Sequence, residues 1–164
     1  MDDDWRTPRW LVRAAERIIG GPFGCDLCAT AWSAQAPEWI TREQNSLQQE
    51  WSNWGRCWCN PPWTVASMRA FAWKAIDEAH RGATVALLMP TWARYGWYQA
   101  LKRNGRFHDV IGTVVFSKAD GTSIKINYGF GNTQFLTLIC LGPGVVKRSN
   151  GDPIIKPKKI RCHG

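Results

Sequence analysis

Ala83-Thr84-Val85-Ala86-Leu87-Leu88-Met89-Pro90 is apolar at almost every position and closes on a proline. Side chains along a strand alternate between faces, so a strand that is apolar throughout is one buried on both sides. Behind this run, Gly82 stops a helix predicted over 65–79, which Thr64 opens; Met68, Phe71, Ala72, Ala75 and Ile76 share one of its faces. Ahead of that helix lies a short strand, Arg56-Cys57-Trp58-Cys59, which ends on Asn60. After Pro90 a second helix is expected over 93–104. Strand-helix-strand-helix at these lengths predicts parallel strands joined by crossover helices. Residues 110–116 and 124–128, separated by the turn-rich 117–123, read as a hairpin, and 135–141 as a last strand. Near the start, Thr7 is the expected N-cap and Pro8 the first residue of an amphipathic helix over Arg9–Ile19. Residues 23–30 read as a strand running into a loop of small residues, and 31–50 as a polar loop with a short helix. The fold class is α/β.

The 164 residues suit one domain with a single sizeable core, and 45% hydrophobic with 21% charged residues is a globular composition. No apolar run approaches the roughly 20 residues that cross a bilayer, and the acidic Asp2-Asp3-Asp4 is unlike a secretory leader, so a cytoplasmic location is expected. A net charge of +8 favours a polyanionic partner, and eleven tryptophans suit stacking on unpaired bases as well as core filling. The domain is expected over 1–142. A basic tail with no apolar face follows over 143–164, and its Lys147, Arg148, Lys156, Lys158, Lys159 and Arg161 are candidate phosphate contacts.

Asn60-Pro61-Pro62-Trp63 follows the strand at 56–59. An amine conjugated to an aromatic ring is a poor nucleophile because its lone pair is delocalised. Two acceptors that take both amino hydrogens draw the nitrogen toward a tetrahedral shape and localise that pair. The Asn60 side-chain oxygen is one such acceptor, and the carbonyl of Pro61, directed by the fixed proline backbone, is the other. Trp63 then stacks on the base, a contact worth roughly 1–3 kcal/mol. The same four residues also read as a plain turn at a strand end.

Asp26, at the end of an early strand with small neighbours, suits the α-amino group of a methionine moiety; it also reads as a turn cap. Cys25-x-x-Cys28 and Cys57-x-Cys59 admit a zinc reading, but the second pair is tighter than the usual zinc knuckle. Reduced thiols and no metal are therefore expected.

Taken in order, Trp5-x-Thr7-Pro8, Asp26-Leu27-Cys28-Ala29, Asn45-Ser46-Leu47 with Trp51, and Trp58-Cys59-Asn60-Pro61-Pro62-Trp63 resemble the phage-type DNA N6-adenine methyltransferases. The likeness continues through 85–90 into Trp97 and 129–141. It implies a Rossmann-like class I methyltransferase core: a mostly parallel sheet with an antiparallel C-terminal hairpin and helices on both faces. It implies S-adenosylmethionine as donor and N6 of adenine in DNA as acceptor, in a setting where methylation protects phage DNA from host restriction. Trp5, Thr7 and Pro8 would line the cofactor pocket, Asp26, Cys28 and Ala29 would form the cofactor loop, and Asn60 to Trp63 the catalytic motif, with Asn60 also facing the cofactor. Where the family commonly has an acidic residue before Ser-Leu, this chain has Asn45, whose amide oxygen accepts without charge. With no room for a large recognition domain, target choice falls to loops such as 94–97 with Arg94, the 117–123 turn with Lys118, or the tail. Cytosine N4, RNA adenine and protein glutamine are alternative acceptors of the same motif. A catalytically silent nucleic-acid binder and a zinc-stapled module are readings of a different class.

Overall fold

The computed structural model describes residues 4–129, 135–145 and 149–157. Three helices, α1 (Arg9–Ile19), α2 (Val65–His80) and α3 (Gly96–Asn104), pack on a mixed sheet. Its strands are β1 (Cys25–Asp26), β2 (Glu38–Trp39), β3 (Arg56–Cys59), β4 (Thr84–Pro90), β5 (Arg106–Ser117), β6 (Ser123–Tyr128), β7 (Leu136–Leu141), β8 (Ser149–Asn150) and β9 (Ile154–Ile155). Their order is β2-β1-β3-β4-β7-β5-β6, with β8 and β9 laid against β5.

Alternation along the central strands makes two cores. Cys57 and Cys59 of β3, with Val85, Leu87 and Met89 of β4, face Met68, Phe71, Ala72 and Ala75 of α2 and Trp97 and Leu101 of α3. Trp58, Ala86 and Leu88 face the other way, onto Leu11, Val12, Ala14 and Ala15 of α1. The continuous apolar run at 83–90 is the consequence, since both of its faces lie under helices.

The half-sheet β2-β1-β3-β4 is parallel. Beyond it, β7 runs antiparallel to both β4 and β5, and β5 antiparallel to β6. The sheet is therefore mixed, and more antiparallel than one added hairpin would make it. Connection length accounts for the β5–β6 pair, which a short turn joins, since parallel neighbours need a crossover of a dozen or more residues. At Gly112 (φ +112°) β5 bends and changes partner, from β7 over Arg106–Val110 to β6 over Gly112–Ser117.

Two other elements depart from expectation. The tail carries an apolar residue after all: Ile154 is buried in the α1-side core, and β8 and β9 extend the sheet in parallel with β5. β2 is two exposed residues, too short to show a period, and it forms by pairing with β1. Among the described residues, no helix is long and apolar enough to cross a membrane.

Candidate active site

β1 and β3 are parallel neighbours, so the loops leaving their carboxyl ends lie side by side. One carries Leu27 to Thr30, the other Asn60 to Thr64. Between them and the segment 40–47 opens a cleft of about 640 Å³. Leu27, Ile40, Leu47 and Phe71 supply apolar wall; Asp4, Thr41, Arg42, Glu43, Asn45 and Ser67 supply polar edge. Of the expected site residues, Cys28, Ala29, Asn45, Asn60 and Pro62 line it.

Asn60 is held on both sides of its carboxamide. The indole Nε1 of Trp63 donates to Oδ1 at 3.0 Å, and Nδ2 donates to the Thr7 hydroxyl at 3.2 Å. An indole N–H can only donate, so the group it meets must be the oxygen, and the orientation of the carboxamide follows. Oδ1 keeps a second lone pair. Of the two proline carbonyls, that of Pro62 accepts the amide of Thr64 at 2.9 Å, and Pro61 is itself buried. Trp63 meets Phe116 edge-on, with centroids 5.5 Å apart. Thr64 caps α2 by accepting from Ser67 N at 3.2 Å, which anchors the motif's far end.

Thr7 is not the cap of α1. Pro8 occupies that position with no side-chain bond, and Thr7 is buried at 2% exposure. Its hydroxyl serves Asn60 instead, and its carbonyl accepts Gln35 Nε2 at 2.8 Å. Trp5, Thr7 and Pro8 thus stand off the cleft. Trp5 lies under Lys118, whose Nζ is 4.5 Å from the ring centroid, because Arg6 pairs with Ser117 at the end of β5.

Asp26 lies behind the cleft wall. Oδ1 accepts the amide of Cys28 (3.2 Å) and Oδ2 that of Gln35 (3.0 Å), the turn-cap arrangement. Burial raises its carboxyl to about 7, against the lowering effect of those two amides. Asp26 therefore shapes the loop that lines the cleft, with both oxygens engaged by backbone. Asn45 is the one non-glycine residue at positive φ (+51°) among those described, and its Oδ1 caps the following 3₁₀ turn through Leu47 N at 3.2 Å. Asn tolerates this left-handed region better than most side chains do.

Burial pushes the Cys25 and Cys57 thiols up to about 12 and raises Cys59 too, where Cys28 is hydrogen-bonded to it. They are neutral thiols. Among the described residues, no three His, Cys, Asp or Glu side chains converge on a metal-sized site. Arg94 leans on Tyr95, with Nη2 to the phenol oxygen at 3.0 Å, and Lys156 is exposed beside Gly112. Lys147, Arg148, Lys158, Lys159 and Arg161 lie outside the described residues.

Sequence reasoning missed two contributors. Asp4 lines the cleft and accepts from the Thr30 hydroxyl at 2.7 Å, though in sequence it is one of an acidic run. Glu78, fully buried, accepts the amide of Trp51 (2.9 Å) and the ammonium of Lys74 (2.6 Å). Trp51 Nε1 in turn donates to the Ser46 carbonyl at 2.8 Å, so Glu78 fastens the strap that brings Asn45 to Leu47 to the cleft. Its only sequence signal is the spacing Lys74-x-x-x-Glu78, which more often marks a surface ion pair.

The family described as DNA N-6-adenine-methyltransferase (Dam) matches residues 1–129, a stretch that holds every residue of the cleft and of the Asn60 motif. This chain belongs to that family. A DNA N-6-adenine-methyltransferase of Haemophilus phage HP1 (strain HP1c1) is 32% identical over 106 residues, covering 63% of this chain. That alignment spans 59% of the phage protein's length. No solved structure matches the chain.

Proposed function

We propose that this chain transfers the methyl group of S-adenosylmethionine to N6 of adenine in DNA, on a Rossmann-like class I methyltransferase core. The observation that carries the reading is Asn60, oriented by Trp63 and Thr7 at the mouth of the cleft beside β3. The parallel run β1-β3-β4 with α2 as crossover, and family membership, support the core and the substrate.

The cleft fits the donor. Its volume lies in the ordinary range for ligand sites, its apolar walls suit a flat ring, and its polar edge suits a sugar and an amino acid. Bound there, S-adenosylmethionine supplies an electrophilic methyl on a sulfonium. The Cys28–Thr30 loop and Asn45 hold the donor side, and Asn60 borders both compartments. Asn60 Oδ1 and the Pro61 carbonyl take the two amino hydrogens of the target and localise the N6 lone pair, while Trp63 holds the plane of the ring. Orientation of this kind accounts for up to about 7–11 kcal/mol of a barrier. Asn60 has no basic site, so the displaced proton passes to solvent.

The test is labelled-methyl transfer from S-adenosylmethionine to unmethylated DNA, with the product nucleosides identified and Asn60→Ala run alongside. N6-methyladenine from the wild type, and none from the variant, is expected. Label found in N4-methylcytosine, or only in RNA or protein, overturns the acceptor. Label retained by Asn60→Ala at the wild-type rate overturns the motif's role.

A further inference from the structure

The carboxyl end of β4 carries a second constellation, one strand over from Asn60. β3 and β4 run parallel in register, so the loop after Pro90 emerges beside the Asn60 motif, about one strand spacing (~5 Å) away. That loop holds Trp92, Arg94 and Tyr95. Trp97, the second residue of α3, is almost buried and lies stacked on Tyr95 with centroids 5.3 Å apart and planes 15° off parallel. The Arg94 guanidinium lies 4.9 Å from the centroid of the same Tyr95 ring. Trp92 tilts against both, at 5.9 Å from Tyr95 and 6.1 Å from Trp97.

Trp97 belongs to the core, and Trp92 and Tyr95 rest against that core without being covered by it. Trp92 and Tyr95 are only partly buried and Arg94 is exposed. The root of the loop is braced: Thr91 donates its amide to the Phe135 carbonyl (2.9 Å), its hydroxyl bonds that of Thr137, and Thr137 is also bonded to the Tyr98 phenol at 3.0 Å. Phe135 adds a half-exposed ring at the same edge. The result is a rigid aromatic surface topped by a planar cation, on a chain of net charge +8. Bases stack on aromatic faces and on guanidinium planes, and the cation suits the phosphates between them.

We propose that Trp92, Arg94 and Tyr95 form a stacking platform for the nucleotide adjoining the target base. Along the sheet edge the order is then donor cleft at β1, target base at β3, neighbouring nucleotide at β4. The proposal rests on the reading of Asn60 as the target-base site. Because every base has a stacking face, the platform holds the strand with little preference for sequence.

The experiment is fluorescence anisotropy with a labelled short strand of thymidines carrying one adenine. An abasic residue is placed in turn at each position next to that adenine. In the wild type one flanking position should weaken binding by about 5- to 100-fold when its base is removed, the range that stacking on one side chain spans. In Trp92→Leu that same abasic change should cost little. Trp92→Phe, which keeps an aromatic face, should restore most of the difference. Arg94→Lys, which keeps charge but not the plane, should reduce it. If no flanking position matters in the wild type, or if the abasic cost is unchanged in Trp92→Leu, the platform is overturned. Methyl transfer is scored separately. Transfer without coupling removes the platform alone, whereas coupling without any transfer to DNA supports the platform and removes the adenine reading.

Discussion

The indole nitrogen of Trp63 donates to the side-chain oxygen of Asn60 across 3.0 Å, within one four-residue turn. On the proposed function, Trp63 has two duties, a ring face for the target base and a donor that aims the acceptor beside it. Trp63→Phe separates them, keeping a face and deleting the N–H. Turnover should fall by about 5- to 10-fold, the worth of one net hydrogen bond, with cofactor affinity unchanged. Trp63→Ala should also raise the KM for DNA. Steady-state kinetics with separately measured cofactor binding checks both. Equal effects of Phe and Ala on KM would show that the face does not matter.

Thr7 holds the other end of the same carboxamide from a buried position at the start of α1. On the proposed function it would act on the reaction through Asn60, as a positioning residue. Thr7→Val keeps the shape and removes the acceptor, so kcat should drop by about 5- to 10-fold while the KM for cofactor stays put. Thr7→Ser should restore kcat. Activity kept by Thr7→Val and lost by Thr7→Ser would assign the methyl group, rather than the hydroxyl, the decisive part.

At Asn60 itself, replacement by Asp keeps an acceptor toward the target, and partial activity is expected. Asn60→Ala should bind cofactor almost normally and turn over little or no DNA. Calorimetric cofactor binding beside the methyl-transfer assay separates the two effects.

Asp26 gives a pH signature. Its carboxyl rises from 3.8 to about 7 on burial, so between those values the folded chain holds a proton that the unfolded chain has lost. The stability it contributes is complete below about pH 4 and is lost as pH rises through 7. Asp26→Asn cannot titrate, so the melting temperature of the wild type relative to the variant should decline from pH 4.5 to pH 8. A flat difference across that range would mean that Asp26 is ionised throughout.

Glu78 shows the opposite sign. Burial pushes its carboxyl up, but the Lys74 ammonium and the amides of Trp51 and Ser52 outweigh it and hold the group below its usual range. Its contribution is present above the ordinary glutamate range and is lost as pH falls. Glu78→Ala leaves the Trp51 amide without its acceptor and should cost about 2–4 kcal/mol. That is a fall in Tm of roughly 5–15 °C. Cofactor affinity should weaken with it, since the strap carrying Asn45 is released. Glu78→Gln, which keeps an acceptor for Trp51, should fall in between.

What could be read directly in the residues was local in origin. The apolar run at 83–90 specified a strand buried on both faces. Thr64 specified the start of α2, Gly82 its end, and the short 117–123 turn an antiparallel pair, because each depends on periodicity or backbone preference within a few neighbours. Asn60-Pro61-Pro62-Trp63 was legible for the same reason, as chemistry carried by four consecutive residues. Contacts across the chain were decided only on folding. Asn60 meets Thr7 from 53 positions away, and Trp51 meets Glu78 from 27. The insertion of β7 between β4 and β5 is of the same kind, since strand order is chosen by which apolar faces are left to cover. Of the two readings of Asp26, ligand partner and turn cap, the fold displays the cap contacts, and Thr7 went from expected helix cap to support of Asn60. A side chain's hydrogen-bond partner is the nearest group that burial leaves unsatisfied, and tertiary packing decides which group that is.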